Sequence, residues 1–153
     1  MMNNGKFYDT CSLLKGVESI FNSNEKFYIS SISFNELERI KTATNKDADV
    51  KYSARLLLHL FEQYPDKYEV VIHHKDYEKQ IEKQGFDMTD DMRILSDALN
   101  SKASIFVTND LALKYIALTF LDKSQVESIP EEIDDYKGYI EVSINDRKME
   151  LFY

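Results

Sequence analysis

The chain has 153 residues, 43% of them apolar and 30% charged, with a formal net charge of −8. That length fits one domain able to bury well over half of its unfolded surface, and the composition is that of a soluble globular protein, not a disordered one. The negative charge excludes a protein that holds nucleic acid through bulk electrostatics, while leaving room for a transient nucleic-acid substrate met through local basic stripes or bound metal ions. No apolar run approaches the ~20 residues that span a bilayer. The start, Met1-Met2-Asn3-Asn4-Gly5-Lys6, lacks a secretory core. A cytoplasmic protein with no membrane partner is therefore expected. The single cysteine, Cys11, cannot form an internal disulfide, and no Cys/His spacing points to zinc.

Taken in chain order, short apolar runs alternate with helical periodicity. Strands are expected at 6–9, 26–30, 68–73, 104–108 and 125–128. Helices are expected at 12–21, 33–42, 50–63, 76–84, 89–101 and 111–121. This alternation predicts an α/β fold: a three-layer α/β/α sandwich around a central, mostly parallel sheet. Four glycines and two prolines interrupt none of the long periodic segments, and there is no repeat, so residues 1–153 read as a single domain. Residues 136–153 differ. Alternating runs flank Asn145-Asp146, which predicts a C-terminal β-hairpin extension ending on the apolar Leu151-Phe152-Tyr153.

Four carboxylates fall where such a fold gathers ligands, beyond the carboxyl ends of the strands. Asp9 follows the first strand and Asp110 follows the fourth. Asp91 precedes Ile94, Leu95, Ala98 and Leu99 by three, four, seven and eight positions, so at 3.6 residues per turn it continues the apolar stripe, with Asp90 and Asp97 pointing to the flanks. Asp110 stands likewise ahead of Leu113, Ala117, Leu118 and Leu121. Each acid has a structural alternative. Asp9 can cap the first helix, and Asp110 can favour a helix dipole beside Thr108 or Asn109 as cap. Ser33-Phe34-Asn35-Glu36 matches a capping box. Convergence is what favours chemistry. Four carboxylates within ~4–6 Å repel by several kcal/mol per pair at an effective dielectric of ~20. A hard divalent cation relieves that repulsion, and oxygen-only ligands select Mg²⁺ or Mn²⁺.

At these residues the sequence resembles PIN-domain ribonucleases. The matching stretches are Phe7-Tyr8-Asp9-Thr10, Ile32-Ser33-Phe34-Asn35-Glu36-Leu37, Thr89-Asp90-Asp91-Met92-Arg93-Ile94-Leu95 with Ala98-Leu99, and Val107-Thr108-Asn109-Asp110. Their order and spacing agree with that family over roughly the first 130 residues. The resemblance implies a metal-dependent endoribonuclease acting on single-stranded RNA. Asp9, Glu36, Asp91 and Asp110 would be its acidic metal-site quartet, with Thr10, Thr108 and Asn109 supporting them. The resemblance is closest to the PIN domain ahead of PhoH-like ATPases, because Tyr136-Lys137-Gly138-Tyr139-Ile140-Glu141-Val142 is similar to the segment that ends such domains. An ATPase portion or partner is then implied, although no Gly-x-x-x-x-Gly-Lys-Ser/Thr loop occurs here. Small VapC-like toxins share the quartet but are usually shorter.

Arg55 and Arg39 are candidate RNA contacts; Lys41 and Lys46 extend a basic rim, against the alternative of solvated helix faces. Cys11 reads as a small buried side chain, Glu38 as solvated, and His59, His73 and His74 as structural. A haloacid-dehalogenase-like phosphatase needs an Asp where Cys11 stands. A receiver domain needs an acceptor Asp where the third strand instead ends in His73-His74. A flap-type nuclease has more acids and a helical DNA-binding extension. The rival from another class is a metal-free PIN-fold docking module for an ATPase, an antitoxin or its own copy. Homodimers through a sheet edge or a helix face are compatible with either reading.

Overall fold

The computed structural model describes residues 5–130. The expected hairpin at 136–153 and its apolar end lie outside the described residues. Among the described residues, five short strands form one sheet in the order β3-β2-β1-β4-β5. They are β1 (Lys6–Tyr8), β2 (Phe27–Ser30), β3 (Tyr68–Val71), β4 (Ile105–Val107) and β5 (Val126–Glu127). All four pairings are parallel, with Lys6 opposite Phe27 on one side and opposite Ile105 on the other. A parallel sheet needs both faces covered, and β2 is buried along its whole length.

Among the described residues, seven α-helices supply the cover: α1 (Thr10–Lys15), α2 (Val17–Asn22), α3 (Ser31–Thr42), α4 (Ala48–Gln63), α5 (Glu78–Glu82), α6 (Asp90–Asn100) and α7 (Leu111–Ala117). The pleat sends Phe27 and Ile29 to one side, where they pack with Leu13, Phe21, Leu37, Leu57 and Phe61 of α1 to α4. Phe7, Tyr28 and Phe106 face the other side and pack with Ile81, Ile94, Leu95 and Leu113 of α5 to α7. Two apolar cores around one parallel sheet make the three-layer α/β/α sandwich expected of the sequence.

The chain runs from β1 outward through β2 to β3, then returns to the far side of β1 as β4. Strand order therefore reverses between β1 and β4, and it is beyond the carboxyl ends of strands at such a reversal that an open α/β sheet has its crevice. Asp9 leaves β1 and Asp110 follows β4, so both stand at this crevice.

Some helix boundaries depart from expectation. The helix expected at 12–21 is two helices hinged at Gly16 (φ −110°, ψ 24°). A Cβ there would come within 2.6 Å of Ile129 Cδ1, the tip of a side chain packed into this corner, so a larger residue would make Ile129 shift. The helix expected at 33–42 begins at Ser31, because the Ser30 hydroxyl caps it by accepting from the Ile32 amide at 2.9 Å. The segment 76–84 is a 3₁₀ turn (Lys75–Tyr77) leading into α5. The last expected helix stops at Ala117 instead of 121.

Candidate metal centre

Asp9 is buried as the N-cap of α1. Its Oδ1 accepts the Ser12 amide at 2.9 Å and its Oδ2 accepts the Thr108 hydroxyl at 2.6 Å. The Thr108 hydroxyl also accepts the Asp110 amide at 3.1 Å, so one buried side chain ties the end of β1 to the loop after β4. Asp110 is itself the N-cap of α7, with Oδ1 receiving the Leu113 amide at 3.1 Å, and it is exposed. Among the described residues no hydrogen bond reaches its Oδ2. Capping and ligation are not exclusive here, since capping uses one oxygen of Asp110 and leaves the other.

Glu36 is half-buried on α3. The capping box that competed for it does not form: Ser30 is the cap, and Ser33 lies inside the helix, buried. The Thr10 hydroxyl instead approaches Glu36 Oε1 at 2.5 Å and Ser33 Oγ at 2.8 Å. With one proton, Thr10 donates to the carboxylate and accepts from Ser33. Burial pushes the Glu36 carboxyl above its ordinary range against the opposing hydrogen bond from Thr10; Asp90 and Asp91 push the same way.

Asp91 stands in the first turn of α6, which Thr89 caps, and is exposed at the end of the stripe formed by Ile94, Leu95 and Ala98. No hydrogen bond or ion pair engages its carboxylate among the described residues. Its carboxyl is raised by partial desolvation, then by the negative charges of Asp110, Asp9 and Asp90. Cys11 reports the same convergence. Its thiol is pushed up by desolvation and by Asp9, Asp91, Glu36 and Asp110 together. Four acids from four separate segments thus act on one thiol.

The donors are all oxygen, which suits Mg²⁺ or Mn²⁺, and the uncompensated negative field is what a cation relieves. Among the described residues, no three His, Cys, Asp or Glu side chains stand close enough to chelate one ion as they are. To share one ion, the acids would have to draw in around it. Asp91 has the freedom to do so, being exposed and without a hydrogen-bond partner among the described residues.

Several expectations need correction. Cys11 is exposed, not buried, on the outward side of α1 while Thr10, Ser12 and Leu13 face inward. Asn109 does not turn to the carboxylates: its amide donates to Ile129 O at 2.9 Å and accepts from Ile129 N at 2.7 Å, since an Asn side chain can mimic a peptide partner. Glu38 is solvated as expected, in a surface pair with Lys41 at 2.7 Å. Arg39 lies 4.0 Å from Asp90 and its charge acts on Glu36, which puts it on the rim. Arg55 is exposed on α4, and no described contact joins it to the acids.

Asp97 does not point to a flank. It is fully buried, accepting from Ser30 Oγ at 2.6 Å and lying 2.9 Å from His73 Nδ1. Its place in the stripe, three residues after Ile94, was the available signal; its partners are far away in sequence.

A PIN domain family model matches residues 7–121. Two solved structures are similar. VapBC2 from Rickettsia felis, bound to a DNA fragment from its promoter, shares 15% identity at a TM-score of 0.52, covering 82% of this chain and 98% of that one. VapBC-1 from nontypeable Haemophilus influenzae shares 22% identity at a TM-score of 0.49, covering 80% of this chain and 96% of that one. No curated protein sequence matches. With a family match spanning most of its length, and with β1, β4 and their trailing acids arranged around one crevice, the chain belongs to the PIN domain family.

Proposed function

We propose that this protein is a Mg²⁺- or Mn²⁺-dependent endoribonuclease that hydrolyses single-stranded RNA, with Asp9, Glu36, Asp91 and Asp110 as its metal site. The observation that carries the reading is the bonding that gathers the acids: Thr108 ties Asp9 to the loop that carries Asp110, and Thr10, next to Asp9, holds Glu36 at 2.5 Å. Membership of the PIN domain family agrees with a nuclease.

When bound, a divalent cation lowers the pKa of its water and neutralises charge on a phosphodiester. The protein's own residues do the rest. Asp9, immobilised by Ser12 and Thr108, provides a fixed anchor. Thr10 holds one oxygen of Glu36 and leaves Oε2 as a proton acceptor for the attacking water; its raised proton affinity suits general-base work. Arg39, on the rim, meets an RNA phosphate. With a net charge of −8, substrate binding is weak and salt-sensitive. The affinity to PhoH-like proteins rests on residues 136–142, outside the described residues, and plays no part in this chemistry.

The test is cleavage of end-labelled single-stranded RNA with Mn²⁺. Asp91→Asn should lose ~10²-fold or more in rate, the usual cost of removing one electrostatic stabiliser. Equal activity in wild type and variant would overturn the assignment.

A further inference from the structure

A second polar cluster lies behind the acids. His73, just beyond β3, has Nδ1 2.9 Å from Asp97 Oδ1 of α6 and Nε2 2.6 Å from Glu78 Oε2 of α5. Its ring is 16% exposed, and the Asp97 side chain 1%. A neutral imidazole carries a single N–H and can donate to only one carboxylate; a doubly protonated ring satisfies both. The remaining oxygen of Asp97 receives the Ser30 hydroxyl at 2.6 Å, and that same hydroxyl caps α3 through the Ile32 amide. The main-chain amide of His73 donates to Ser31 Oγ at 3.1 Å, in the first turn of α3. Ser30 stands six residues before Glu36, and Asp97 six after Asp91. The cluster therefore joins the two helices that carry Glu36 and Asp91.

We propose that His73 is a positioning residue: its doubly protonated ring clamps Asp97 and Glu78 and, through Ser30, fixes α6 against α3, so that the spacing of Asp91 and Glu36 depends on the protonation of a histidine outside the site. The charged groups that face the ring are Asp97 from α6, Glu78 from α5 with Arg93 3.7 Å behind it, and the adjacent His74. Desolvation opposes the proton on His73, and the hydrogen bonds to Glu78 and Asp97 outweigh it, so the ring holds its proton to higher pH than an ordinary histidine. The clamp is closed below that midpoint and opens as pH rises through it.

The spacing claim rests on reading Asp91 and Glu36 as site acids, so the decisive readouts do not require cleavage. With three histidines in the chain, ring resonances can be followed individually by NMR from pH 5 to 9. His73 should titrate to lower pH in Asp97→Asn, and the amides of Glu36 and Asp91 should show a component at the His73 midpoint that disappears in His73→Gln. Should Asp97→Asn fail to fold, His73→Gln with Glu78→Gln supplies the same comparison. Where cleavage is present, kcat of His73→Gln should fall about 10-fold at pH 6, the cost typical of losing an outer-shell partner, with KM unchanged and the difference closing by pH 9. An unmoved His73 midpoint, or Glu36 and Asp91 amides silent at that midpoint, overturns the proposal. A working clamp in a protein that cuts no RNA would instead count against the nuclease reading alone.

Discussion

The Thr108 hydroxyl lies 2.6 Å from Asp9 Oδ2, a hydrogen bond between residues 99 apart in sequence and both buried. Because Thr108 also accepts the Asp110 amide, this contact holds together the two strand ends that flank the crevice. Thr108→Val keeps the shape and removes both bonds, leaving a buried carboxylate oxygen without its donor. It should cost about 1–3 kcal/mol, read as a lowered midpoint in urea unfolding, and it should weaken Mn²⁺ binding in the same protein.

The acids trade stability for readiness to bind. Glu36 and Asp91 both have raised carboxyl pKa values in the folded state, so the native protein binds more protons than the unfolded chain between the ordinary carboxylate value and the folded one. Metal-free stability should therefore fall as pH rises through that interval. Asp91→Asn should flatten this fall and raise the metal-free Tm at pH 7. A lower Tm for the variant would mean that Asp91 makes favourable contacts instead of suffering repulsion.

Ser30 joins two duties in one hydroxyl, capping α3 and donating to Asp97. Ser30→Ala removes both and leaves a buried carboxylate short of a donor, for a loss of about 1–3 kcal/mol in denaturant unfolding. Helix signal should decline along with global stability, because the cap and the interlayer bond are lost together.

Cys11 is a chemical probe of the field. Its thiol is raised by desolvation and by the four acids, so alkylation by iodoacetamide at pH 7 should be slow for an accessible cysteine. Asp110→Asn and Asp91→Asn should each speed it, since each removes a negative charge that disfavours the thiolate. Unchanged rates in both variants would place Cys11 outside the influence of the acids.

Much of this architecture was legible because its determinants are local. Apolar runs ending in Asp9 and Thr108 marked β1 and β4, and the stripe through Ile94, Leu95 and Ala98 marked the buried side of α6. What escaped depended on contacts across the fold. The first helix divides at Gly16, where Ile129 from beyond β5 packs against the glycine. Ser33 and Glu36 matched a capping box, yet the cap fell to Ser30, whose hydroxyl also answers Asp97 at 67 residues' distance. His73 and Asp97 looked unrelated until the sheet brought the end of β3 beside α6. Asn109 shared a motif with Thr108, and the departure of the chain after β5 claimed its side chain.

Asp9, Glu36, Asp91 and Asp110 are proposed to form one cation site. Crystals of the wild type soaked in Mn²⁺ and measured at the manganese absorption edge test it most directly. An anomalous peak is expected between the ends of β1 and β4, within coordination distance of Asp9 and Asp91, with its loss in Asp9→Asn. Anomalous density found elsewhere, or unaltered by Asp9→Asn, would contradict it.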